Sequence, residues 1–81
     1  PELYTRWLQF AALTPVDRVH GTNYQQRQPW YFGSTAEENA KTAIRMRYSL
    51  MPYMYSYEHS AYETGLGLVY PLLYDYPNDE I

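Results

Sequence analysis

Thr14-Pro15-Val16-Asp17-Arg18-Val19-His20-Gly21 is the stretch on which the reading of this chain turns. It is short, carries β-branched residues and three ionisable groups, and stops at a glycine. Read as a strand, it sets Val16, Arg18 and His20 on one face and Asp17 and Val19 on the other, because side chains alternate along an extended backbone. Pro15 suits the first position of a strand, where a missing N–H does least harm. Gly21 then permits a sharp turn. An imidazole on the last residue of a strand, with a guanidinium two residues behind it, occupies a place where barrel enzymes carry functional groups.

Working outward, residues 2–13 predict a helix. Leu3, Trp7, Phe10 and Ala11 fall at i, i+4, i+7 and i+8 and form an apolar stripe. Glu2 stands in the first turn, where a carboxylate opposes the positive end of the helix dipole. Pro15 bars continuation and pushes Thr14 toward extended geometry. On the other side, residues 21–33 form a long polar loop ending on Trp30-Tyr31-Phe32-Gly33. A loop of that length is usually functional or disordered, and three successive aromatics argue against disorder. Those aromatics either pin the loop to a core or furnish a wall on which a sugar ring can stack.

Residues 34–64 predict a long helix. Ser34 with Glu37, and Thr35 with Glu38, both match the capping box. Gly65 is the expected C′ residue. Pro52 interrupts the middle and removes the bond to the Tyr48 carbonyl. The alternatives are a kinked helix or two helices meeting there, and continuation of the apolar stripe through Met54 favours the kink. Residues 66–76 predict a second extended piece, with Leu68-Val69-Tyr70 and Leu72-Leu73-Tyr74 apolar on both faces as in a buried parallel strand. Pro71 counts against full pairing there. Pro77-Asn78-Asp79-Glu80 reads as a turn or exit. The expected order is helix, strand, loop, long helix, strand, a βαβ unit with a leading helix. Two parallel strands need more sheet at their edges, so the expectation is a slice of a larger α/β protein.

Composition narrows the function classes. The chain has 81 residues and no cysteine, so neither disulfides nor cysteine-based zinc sites are available. Eleven tyrosines dominate its aromatics, and each wants a partner for its hydroxyl as well as apolar cover. The formal net charge of −3, with no basic cluster, lacks the electrostatic footprint of nucleic-acid binding. No run approaches the ~20 apolar residues of a membrane span, and nothing near Pro1 resembles a signal peptide. No cofactor or metal ligand set is indicated.

Several segments, in order, resemble the family 31 glycoside hydrolases: Pro1-Glu2-Leu3-Tyr4-Thr5-Arg6-Trp7-Leu8-Gln9-Phe10, the stretch Thr14 to Gly21, Gln28-Pro29-Trp30, and Arg47-Tyr48-Ser49-Leu50-Met51-Pro52-Tyr53-Met54-Tyr55-Ser56. Thr64-Gly65-Leu66, Pro71-Leu72 and Tyr76-Pro77 extend the likeness over nearly the whole chain. The resemblance implies a partial (β/α)8 TIM barrel. The chain would then be a fragment, residues 1–81, of a single catalytic domain, with Val16 to His20 as strand seven and Val69 to Tyr74 as strand eight. It further implies a retaining α-glycosidase of α-glucosidase or α-xylosidase type, acting on an α-linked oligosaccharide or glycoside. The rest of the barrel would be its structural partner.

Retaining chemistry needs two carboxyl groups about 5–5.5 Å apart. In the family both are aspartates on motifs preceding the matched region, so the resemblance assigns no catalytic residue here. It assigns His20 to the subsite holding the reacting sugar, with Trp30 and Phe32 as candidates for the site wall. Arg18 is expected to anchor a buried carboxylate, with Asp17 structural beside it. The bland alternative for His20 is a core histidine satisfied by backbone. The sequence departs from the family where an aromatic is common at Asp17, where an arginine is common at Tyr70, and in the small Ala11-Ala12-Leu13. A different class of reading is a small tyrosine-rich helical module that binds another protein. It leaves two strands unpaired.

Overall fold

A computed structural model describes residues 1–79 of the chain. It contains three helices: α1 (Glu2–Ala11), α2 (Ser34–Ser49) and α3 (Met51–Thr64), followed by a single 3-10 turn at Leu72–Tyr74. The chain divides into two compact units, Pro1–Met51 and Pro52–Ile81. Glu80 of the expected exit turn lies outside the described residues.

In the first unit α1 packs on α2. The buried positions of α2 are Ala36, Ala40 and Ala43, spaced i, i+4 and i+7, so one narrow stripe of methyl groups faces its neighbour. Leu8 and Ala12, also four apart, are the buried residues presented by the α1 region. Small side chains let the two backbones approach closely, and Leu8 fills what space remains. Burying such a leucine contributes roughly 1.5–3 kcal/mol, so this is a slender core.

Arg47 continues the alanine stripe one turn further. Its guanidinium Nη1 donates to the carbonyls of Ala11, Ala12 and Thr14 at 3.4, 3.1 and 2.5 Å, and Nη2 donates to Pro15 at 2.9 Å. Ala11 and Ala12 stand at the end of α1 and Thr14 and Pro15 in the turn beyond it, and the Ala11 carbonyl also accepts the Thr14 N–H at 2.9 Å. The cation also opposes the negative end of the α1 dipole.

The expected α/β architecture is not what the described residues show: they contain no strand. Residues 16–20 run without regular structure, and 72–74 close into a 3-10 turn instead of extending. The physical reason is partnership. A strand exists only as one side of a ladder, and neither segment has a chain beside it to accept its hydrogen bonds. Pro71, with φ −63° and ψ 145°, then serves as the residue before the 3-10 turn. So the partial (β/α)8 barrel drawn from the resemblance, with its two strands, is corrected to a helical fold.

Three local expectations also change. Leu3, Trp7 and Phe10 are 78%, 69% and 64% exposed, so the bulky stripe of α1 is not its buried face. The helix has two apolar faces, and the one with smaller residues packs on the alanines. The capping box does not form. Gly33, at φ 100°, is the N-cap, and no side chain caps the helix. The long helix is two helices, since α2 ends at Ser49 with Leu50 as its C-cap, and Pro52 falls in the first turn of α3, where its missing N–H is harmless.

In the second unit, Gly65 ends α3 at φ +79°, its N–H donating to the Ala61 carbonyl at 2.8 Å. Beyond it, Tyr70 and Tyr74 stack nearly parallel at 5.8 Å, and the Tyr70 hydroxyl donates to Asp75 Oδ2 at 3.1 Å. That bond, with the carboxylate's charge, raises the Tyr70 phenol above its ordinary ionisation.

Because the interface is built on methyl groups, it has no room for larger ones. Ala40→Leu is expected to destabilise the first unit by about 1–3 kcal/mol through overpacking. Urea denaturation followed by circular dichroism checks this, with a lower midpoint as the expected result.

Candidate functional site

The first unit carries an open groove of about 910 Å³ along α1. One side is the outward stripe of α1, including Trp7 and Phe10, whose rings lie 5.9 Å apart. The other side is the segment Val16 to His20. Arg27 and Phe32, from the long loop, close one end.

The loop is fastened to α1 through Tyr4. Its hydroxyl donates to the Arg27 carbonyl at 2.6 Å, and its ring meets Phe32 at 4.3 Å. Tyr31 adds an edge-on contact to Phe32 at 5.2 Å. Phe32 therefore both pins the loop and borders the groove. At Gly21 the Arg27 side chain comes close: a Cβ there would stand 2.9 Å from Arg27 Cγ, so the arginine would have to move aside. Partial burial, and then the nearby Asp17 carboxylate, push the Tyr4 phenol above its ordinary 10.0, while the Arg27 guanidinium pulls the other way.

Of the residues singled out in the sequence, His20, Arg18, Asp17 and Phe32 all border this one groove. Trp30 does not, and is 66% exposed elsewhere on the loop. His20 and Arg18 are exposed and Asp17 is half-buried. Among the described residues none of these three makes a side-chain hydrogen bond or an ion pair. The carboxylate expected to pair with Arg18 is therefore not found among them. His59, which matches no motif, pairs with Glu63 at 3.0 Å on the surface of α3. Sequence reasoning missed Trp7 as the larger aromatic of the groove, because its i, i+4, i+7 spacing with Leu3 and Phe10 equally describes a core stripe.

The chemistry on offer is a mixed surface: indole and phenyl faces, two guanidiniums, one imidazole and one carboxylate. Such a combination suits a polyol, whose hydroxyls need donors and acceptors and whose C–H faces lie against aromatic rings. Among the described residues no group of three or more metal-ligating side chains is gathered, and no helix is long and apolar enough to cross a membrane.

Residues 1–57 match the family described as glycosyl hydrolases family 31 TIM-barrel domain. The chain belongs to glycosyl hydrolase family 31. It is 72% identical over 79 residues to a 1,6-alpha-glucosyltransferase of Sporosarcina globispora, a match that covers 98% of this chain and 6% of that protein. It is 41% identical over 80 residues to alpha-glucosidase 2 of Bacillus thermoamyloliquefaciens, covering 98% of the chain and 10% of that enzyme. An alpha-xylosidase of Saccharolobus solfataricus is 37% identical over 79 residues, with 98% and 11% covered. The family 31 chain thus spans about a tenth or less of the length of these relatives. Its family membership was legible from the ordered segments, including Arg47 to Ser56.

The Tyr4 anchor generates a prediction. Its raised phenol means that the neutral, donating form is favoured by the fold, so the contribution is fully present below about pH 10 and is lost as pH rises through the folded value. Tyr4→Phe is expected to cost about 1 kcal/mol at neutral pH. The gap between wild type and variant, read from urea midpoints at a series of pH values, should hold constant up to about pH 10 and narrow above it.

Proposed function

We propose that this chain is part of the catalytic domain of a retaining α-glycoside hydrolase of α-glucosidase or α-xylosidase type, acting on α-linked sugars. Its own contribution is His20, which lines the subsite of the reacting sugar. An imidazole in its neutral form offers one donor and one acceptor, matching a sugar hydroxyl that can accept and donate in turn. Phe32 gives an aromatic edge to the same surface, and Trp30, exposed on the loop away from this groove, is proposed as a separate stacking face for sugar. Arg18 and Asp17 precede the histidine in sequence and border the same groove.

The observation that carries this reading is the gathering of His20, Arg18, Asp17 and Phe32 on one groove in a family 31 chain. A second supports it. Asp17 is the only carboxylate bordering the groove among the described residues, and retaining hydrolysis needs two. On the resemblance to family 31, whose two aspartates lie on motifs preceding the matched region, the nucleophile and the acid/base come from other parts of the catalytic domain, and this chain positions sugar without attacking it.

The test is His20→Ala in the full-length enzyme. The expected loss in kcat/KM on an aryl α-glycoside is roughly 1–3 kcal/mol, the scale of a lost buried hydrogen bond, or roughly 5- to 150-fold. A folded variant with wild-type kcat/KM would make His20 a structural residue. The 81-residue chain alone is expected to release no aglycone, and turnover by it would overturn the assignment of the carboxylates elsewhere.

A further inference from the structure

We propose that Arg47 is a positioning residue for the sugar site. It holds the start of the segment that carries His20, and so fixes where the imidazole stands in the groove. The inference rests on the reading of His20 given above and adds to it a residue that touches no sugar.

The segment Val16 to His20 has no helix or ladder to hold it, and the side chains of Asp17, Arg18 and His20 make no hydrogen bond among the described residues. Among the described residues, the contacts that hold it lie at its point of departure. Two groups act there. The Thr14 hydroxyl lies 2.7 Å from the Ala11 carbonyl and 2.9 Å from that of Val16, bridging the turn from inside. Arg47 reaches in from α2 and donates to the carbonyls of Ala11, Ala12, Thr14 and Pro15. Pro15 is the last of these. From it to His20 is a reach of at most ~18 Å, so the direction in which the chain leaves Pro15 decides where the imidazole falls.

The side-chain type matters. A guanidinium carries its donors in a rigid planar fork, which can grip successive carbonyls and set their mutual angle. An ammonium is a point charge with rotating donors and would hold one or two without fixing the turn. Arg47 also stands at the end of the alanine stripe that packs on α1, so its own base is fixed by the helix interface.

Two measurements on the full-length enzyme test this. The first is tryptic cleavage after Arg18, followed by mass spectrometry. Arg47→Met is expected to speed cleavage there by at least about tenfold, because loosely held chain is the preferred site of nicking, while cleavage after Lys41 in α2 stays at the wild-type rate. An unchanged rate after Arg18 overturns the proposal. The second is a double-mutant cycle on kcat/KM with His20→Ala. Arg47→Met alone is expected to lower kcat/KM between about ten- and a hundredfold, the effect of a small misplacement. Arg47→Lys should recover part of that loss, and the double variant should be no worse than the poorer single one. Losses that multiply would mean that Arg47 does not act through His20, and would overturn the proposal. Should His20→Ala alone be silent, the sugar-contact reading fails, and the cleavage rate decides the tether on its own. If Arg47→Met does not fold, Arg47→Lys and Thr14→Val carry both measurements, since each loosens the same turn.

Discussion

A single guanidinium, that of Arg47, ties the end of one helix to the start of the segment that carries the candidate site. The first unit depends on it because little else crosses the interface. Its buried side chains are one leucine and four alanines, which together remove only a modest apolar area from water. The acceptors are neutral carbonyls at the negative end of a helix, so the cation is compensated by dipoles and not by a carboxylate. An arrangement of this kind is strongly directional. It does more to determine geometry than a comparable apolar contact would, and the geometry it determines is that of the Thr14–Pro15 turn.

Around that tether the groove is assembled from parts distant in sequence. Tyr4 brings the loop back by its hydroxyl and its ring, so that Phe32 and Arg27 face the segment that ends in His20. Neither contact lies deep. Both depend on α1 staying where α2 holds it, which is why the methyl-lined contact between the two helices has consequences for the groove. Family 31 membership gives this assembly its meaning, and the apolar faces of Leu3, Trp7 and Phe10 show that the groove surface is aromatic as well as charged.

Much of this was legible in the residues, and the failures have specific causes. The helices follow from periodicity, and Gly65 ends α3 with the positive φ that its position required. Pro52 was rightly read as an interruption, but a proline in the first turn of a new helix costs less than one in the middle of a kinked helix, so the chain takes two helices. The strands failed because extended potential is local, whereas a ladder requires a neighbour, and none is found among the described residues. The stripe on α1 was assigned to the wrong face because Leu3, Trp7 and Phe10 share helical spacing, as Leu8 and Ala12 do on the other face, while close helix contact selects the smaller side. In the groove, His20, Arg18 and Asp17 were visible because they are sequence neighbours. Trp7 was hidden by a pattern that also describes a core, and Arg47 by the absence of any sequence signal for carbonyl recognition across thirty-odd residues.

The exposure of the indoles has an optical consequence. Trp7 and Trp30 are 69% and 66% exposed, and they are the chain's two tryptophans. At that exposure their emission in the folded state is expected to resemble that of indole in water, which would make fluorescence a poor reporter of unfolding here. It becomes a sensitive reporter of the opposite event. A shift to shorter wavelength records an apolar surface or a sugar ring settling over Trp7 or Trp30, and replacing one of the two by phenylalanine tells which.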